Sequence, residues 1–155
     1  MRRPPPKFIL DTNLFIDSLR NRDARAGLKR FHYGFAPFEY LSVIVAQELR
    51  AGIRHAEELR LLERHVLGVF ERTGRTIAPS TNAWMKSGDV FAAMARQGGL
   101  DLARVSKSFA NDVLLALSCR ESGCILVTDN TRDFQRISRY VSFQFTKPWP
   151  GTAPS

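Results

Sequence analysis

Short apolar runs that stop abruptly at polar side chains punctuate this chain. Phe8-Ile9-Leu10 runs into Asp11-Thr12-Asn13, and far downstream Cys124-Ile125-Leu126-Val127 runs into Thr128-Asp129-Asn130. Runs this short, followed by residues that favour helix starts, read as buried strands of an α/β fold, whose ligands sit beyond the strands' carboxyl ends. Two strands that both end in acid predict parallel neighbours bringing carboxylates to one sheet edge.

Between these two runs, helical and strand-like spacings alternate. Leu14, Phe15 and Leu19 predict a short amphipathic helix from about Thr12 to Arg20, and a second runs from Ala24 to Phe31. Tyr33 to Pro37 reads as a loop into a short strand ending near Ser42. Ser42 can cap the next helix, which carries Glu48 and stops around Gly52. Apolar side chains at 59, 62, 66, 67 and 70 place a helix over Glu57 to Arg72, and Thr76 to Pro79 reads as another strand. Ser80 or Thr81 should cap a helix reaching Gln97, ended by Gly98-Gly99, with Trp84, Val90, Phe91 and Met94 as its buried stripe. Phe109 to Ser122 is a helix ended by Gly123, and a short helix with Asp133 and Phe134 follows the strand at 124–127. Tyr140 to Phe145 reads as an edge strand. Strands alternating with helices predict an α/β class with a parallel sheet.

The length of 155 residues suits one domain over 8–146, preceded by a disordered Pro-rich leader over 1–7 and followed by a flexible tail over 147–155. The net charge of +8 favours a polyanionic partner, either nucleic acid or an acidic protein. Cys119 and Cys124 are too few for a disulfide scaffold and lack the neighbouring histidines of a zinc site. His32, His55 and His65 lie scattered among arginines and aliphatics, as surface or helix-face residues do. The apolar run behind the basic start is too short for a secretory signal, and no window reaches the length of a membrane span. No membrane association and a cytoplasmic location are therefore expected.

Four acidic groups stand at informative places: Asp11, Glu48, Asp112 and the Asp129/Asp133 pair. Singly, each has a plain explanation. Asp11 and Asp129 could cap helices, Glu48 could face water, and Asp112 could favour its helix dipole. Glu48 lies deep in an apolar helix, however, and Asp112 precedes Val113-Leu114-Leu115-Ala116-Leu117, so neither is easily sent to solvent. Carboxylates gathered together repel unless a cation neutralises them. Oxygen ligands alone suit a hard ion, Mg²⁺ or Mn²⁺, which activates water and stabilises charge on a phosphodiester oxygen. An acidic centre on a basic protein points to a nuclease.

With these residues in place, the chain resembles the PIN-domain ribonucleases, in particular the VapC-type toxins of type II toxin–antitoxin systems. The carriers are Leu10 to Asn13, Ser42 through Glu48 to Gly52, Asn111 to Ala116, and Val127 to Phe134. Their order and spacing carry the resemblance, which spans roughly residues 8 to 145. It implies a PIN-like three-layer α/β/α sandwich with a central parallel sheet of four to five strands. It implies catalytic and metal-binding roles for Asp11, Glu48, Asp112 and Asp133, with Asp129 as the lower-ranked alternative for the last. Asn13, Thr128 and Asn130 match supporting polar positions. An RNA substrate, Mg²⁺ or Mn²⁺, a homodimer and inhibition by a small cognate VapB-like antitoxin follow from the same likeness. The rival readings are a PIN-like module that binds RNA or protein without cutting, and a receiver-like domain phosphorylated on Asp11. A receiver needs its acceptor on a mid-chain strand, and Asp11 comes too early.

Overall fold

The first apolar run forms the middle of the molecule. In a computed structural model, which describes residues 2–151, Lys7–Leu10 is the central strand β1. The other strands are β2 (Glu39–Ser42), β3 (Thr76–Ile77), β4 (Cys124–Val127) and β5 (Gln144–Thr146). They form one five-stranded sheet in the order β3-β2-β1-β4-β5, every neighbour parallel. Phe8 pairs with Ile125 and Leu10 with Val127, so the two acid-terminated runs are adjacent, as their shared pattern implies. The chain moves outward from β1 to β3, then returns past β1 to β4. That reversal makes the carboxyl ends of β1 and β4 the crevice where ligands bind in such sheets.

Parallel strands require crossovers, and eight helices supply them: α1 (Thr12–Arg20), α2 (Arg22–Phe35), α3 (Val43–Gly52), α4 (Ala56–Leu62), α5 (Gly68–Arg72), α6 (Thr81–Gly98), α7 (Lys107–Ser122) and α8 (Thr131–Ser138). A π-helical turn over Glu63–Leu67 joins α4 to α5, so the helical spacing read over 57–72 is one path with a wider turn inside it. The helices enclose the sheet in the three-layer arrangement expected. Ile9, Leu10, Val45, Leu49, Leu115, Leu126 and Phe134 are among the side chains the layers bury. Helix α7 is the most enclosed, with every residue from Asp112 to Cys119 buried. Gly123 ends it at φ +67°, a left-handed cap that a side chain would strain.

Several expectations need correction. Helix α2 continues through the supposed loop to Phe35, because Phe31 and Phe35 both pack on Phe8, at 5.7 and 5.2 Å between ring centroids. The last strand lies at 144–146, since Tyr140 and Val141 still hydrogen-bond back to Ile137 at the end of α8. Trp84 is not in the buried stripe of α6. That stripe is Ala83, Ser87, Val90 and Met94, and Trp84 is 58% exposed. His32 is more than a surface residue: its Nδ1 lies 2.5 Å from Oε2 of Glu39, which is only 2% exposed. The chain expected to be a flexible tail is ordered against α2 as far as Trp149, whose ring stacks on Phe31 at 5.3 Å. Gly27 makes room for it, because a Cβ there would meet Trp149 Nε1 at 2.6 Å. Among the described residues, no helix is long and apolar enough to cross a membrane.

Candidate active site

Asp11 closes β1 and opens α1. Its backbone N–H still donates to Val127 O at 2.9 Å, so the ladder with β4 runs right up to it. Its carboxylate is buried and held from both sides. Oδ1 accepts the Thr12 N–H at 2.8 Å, which makes Asp11 the cap of α1, and Oδ2 accepts the Thr128 hydroxyl at 2.7 Å. Thr128 is buried at the matching end of β4, and its Oγ1 accepts the Asn130 N–H at 2.9 Å. The Asn130 side chain in turn donates from Nδ2 to Asp133 Oδ2 at 3.1 Å.

A second branch starts at Thr12, whose hydroxyl donates to Glu48 Oε1 at 3.0 Å. Ser42 at the end of β2 accepts the Ile44 N–H and so starts α3, which brings Glu48 round to this edge. Hydrogen bonds therefore link Glu48, Thr12, Asp11, Thr128, Asn130 and Asp133 in one series. Asp112 joins by proximity: buried near the start of α7, it feels the charges of Asp11, Glu48 and Asp133.

The electrostatics follow from crowding. Burial raises Asp11 above the ordinary carboxylate range, opposed by the bonds from Thr128 and Thr12 and reinforced by Asp129. Burial also raises Glu48, opposed first by the Thr12 bond, reinforced by Asp11, and eased further by Asn111 and the Lys107 ammonium. Asp112 is pushed up to about 8 by burial and by the three other carboxylates, with no hydrogen bond opposing the rise. A cation beside such a group would favour its charged form. The donor set is all oxygen, which fits Mg²⁺ or Mn²⁺. Among the described residues, no three acidic, histidine or cysteine side chains already stand in a metal-holding arrangement. An ion that keeps several waters and takes few protein oxygens directly, as Mg²⁺ does, matches so loose a set.

The structure thus brings Asp11, Glu48, Asp112 and Asp133 to one edge, with Thr128 and Asn130 supporting them. Asp129 is exposed and its charge reaches Asp11, whereas half-buried Asp133 acts on Asp112. Asn13 is exposed too; the cap is Asp11, and the bond to Glu48 comes from Thr12. Sequence reasoning passed over Thr12 and Asn111. The signal for both is adjacency, since each is next to a site acid.

Comparison with known proteins identifies the family. The PIN domain family model matches residues 8–140. The chain is 31% identical over 133 residues to the tRNA(fMet)-specific endonuclease VapC of Shigella flexneri, a match covering 84% of this chain and 92% of that protein. Among solved structures, DNA-bound VapBC from Salmonella typhimurium superposes with a TM-score of 0.65 at 26% identity, covering 92% of this chain and 98% of that one. FitAcB from Neisseria gonorrhoeae gives 0.64 at 22% identity over the same shares, a likeness of fold. With the family model matching most of the chain and 31% identity to a VapC endonuclease over 84% of it, this chain belongs to the PIN-domain family, among its VapC-like members.

Proposed function

We propose that this protein is a VapC-like toxin, an endoribonuclease that hydrolyses RNA phosphodiester bonds with a divalent ion, Mg²⁺ or Mn²⁺, and is restrained by a cognate antitoxin. The observation that carries this is the bonded series from Glu48 to Asp133, which holds one buried and two half-buried carboxylates at the sheet's ligand crevice. Asp11, Glu48, Asp112 and Asp133 hold the ion. Bound there, it supplies Lewis-acid stabilisation of the phosphodiester and acidifies water.

The chain's own residues do the positioning. Thr128 fixes one oxygen of Asp11 and the Thr12 N–H fixes the other, so the carboxylate cannot swing away. The Thr12 hydroxyl orients Glu48, and Asn130 orients Asp133 in the same way. Such outer contacts set the direction in which ligand oxygens point. Lys107 is exposed close enough to act on Glu48, where a phosphate arriving at the acids would meet it.

The Shigella relative's name specifies transfer RNA, and RNA is the substrate class proposed here. The antitoxin partner is proposed from the VapBC and FitAB assemblies that this fold resembles. A homodimer, a cytoplasmic location and a catalytic domain over 8–146 belong to the same proposal. The test is cleavage of total cellular RNA by purified protein with Mg²⁺ or Mn²⁺, against EDTA and an Asp11→Asn control. Discrete fragments that vanish in both controls are expected. Absence of cleavage from antitoxin-free protein with either metal would sink the nuclease and favour a binding module.

A further inference from the structure

Trp84 is among the large apolar side chains that the fold leaves exposed, with Met85 beside it. Burying an aromatic ring of this size contributes strongly to stability, yet α6 turns it outward and buries Ala83 and Ser87 instead. It stands over a cleft of about 300 Å³ lined by Val43, Gln47, Pro79, Trp84, Asn111 and Leu114. Val43 is itself 40% exposed. The cleft has apolar walls and an amide wall, where Asn111 Nδ2 donates to Gln47 Oε1 at 3.4 Å.

That amide wall adjoins the acidic centre. Gln47 precedes Glu48 on α3, and Asn111 precedes Asp112 on α7. Successive helical residues point about 100° apart. Each helix therefore sends one side chain to the acids and the one before it to the cleft. Asn111 borders both, since its side chain is also near enough to Glu48 to ease that carboxylate. Lys107 lies one helical turn before Asn111 on the same α7 face.

We propose that this cleft is a subsite for one unstacked nucleobase of the RNA, beside the scissile phosphate, with Trp84 as the stacking platform. The proposal rests on the ribonuclease reading of the adjoining acids. Single-stranded RNA is recognised by stacking bases on aromatic rings and bonding their edges to polar side chains. Trp84 supplies the ring and the Gln47 and Asn111 amides supply the edge contacts. The volume lies at the lower end of small-ligand sites, about 300–1,000 Å³, enough for a single planar base. A second copy of the chain would instead need about 800 Å² of complementary surface on each side. A cleft of this volume with an amide wall suits a single base better.

The test uses Asp11→Asn protein carrying Trp149→Phe, so that binding is read without cleavage and Trp84 is the remaining tryptophan. A single-stranded oligoribonucleotide should quench its fluorescence, and abasic nucleotides scanned through that oligonucleotide should abolish the quench at one position. Trp84→Ala in the Asp11→Asn background should weaken binding roughly 5- to 100-fold, the range for loss of one stacked base, while Trp84→Phe should recover most of it. Unchanged affinity in Trp84→Ala overturns the proposal; if that variant also sediments as a smaller species, the face joins two copies of the chain. Wild-type cleavage is scored in parallel. Quenching without any metal-dependent cleavage would remove the nuclease reading and keep the subsite. Cleavage with affinity and cut-site choice indifferent to Trp84 would remove the subsite alone.

Discussion

The Thr12 hydroxyl donates to Glu48 across 36 residues of sequence at 3.0 Å, joining the start of α1 to the middle of α3. Replacing Thr12 with valine keeps the shape and deletes this bond. Supporting bonds of this kind typically alter metal affinity or activity about 10- to 100-fold. The Mg²⁺ concentration for half-maximal cleavage should rise accordingly, with an unfolding free energy lower by about 1 kcal/mol. An unchanged metal requirement would mean that Glu48 needs no tether. Thr128→Val should act in the same direction through Asp11.

Asp112→Asn should separate stability from activity. The variant removes a charge confined among Asp11, Glu48 and Asp133. Cleavage should be lost, while the metal-free protein gains on the order of 1 kcal/mol, a Tm rise of about 2–4 °C at this size. A lower Tm at pH 8 without metal would show that repulsion at the site is small.

Asp112 also sets the sign of the pH dependence. Its folded value is about 8 against an ordinary 3.8, so its protonated form contributes stability that is complete below roughly pH 4. As pH rises toward 8 the unfolded state sheds the proton more readily, and that contribution is lost. A divalent ion takes the proton's place. Added Mg²⁺ should therefore raise the Tm more at pH 8 than at pH 5, and equal shifts at both would contradict this account.

His32→Ala should be among the costlier changes far from the acids. It strips the partner from Glu39, a side chain 2% exposed whose Oε1 has no hydrogen-bond partner among the described residues. Leaving a buried polar group without its hydrogen-bond partner costs roughly 1–3 kcal/mol. Denaturant titration measures it. A loss below about 1 kcal/mol would mean that the pair contributes little net stability.

Gly27→Ala tests the strap formed by Trp149. The new methyl would occupy the position of the indole edge, so the ring must lift from Phe31. Trp149 should become readily quenched by acrylamide, with a stability loss of about 1–3 kcal/mol from overpacking.

The site was legible where sequence neighbours share a job. An apolar run stopping at Asp11 and another at Thr128 announce paired strands, because a parallel sheet buried on both faces leaves only its ends for polar groups. Ser42 and Ser80 announce helix starts by their own chemistry, and both accept the expected backbone N–H. What failed was the choice of face. On α6 the large side chains looked like the core, but Ala83 and Ser87 face inward in its first turns and Trp84 lies one residue round from them. Glu39, His32 and Trp149 were invisible for a related reason. Their partners are distant in sequence, and only the folded chain brings them together.

The strand order also imposes a schedule. β1, the centre of the sheet and neighbour of the first acid, is made more than a hundred residues before its partner β4. At about 5–20 residues per second, a growing chain carries Asp11 for roughly 6–25 s before Thr128 and Asp133 exist to complete its surroundings. A half-made molecule on the ribosome lacks the finished centre. The acidic centre therefore exists only once both halves of the sheet have been made.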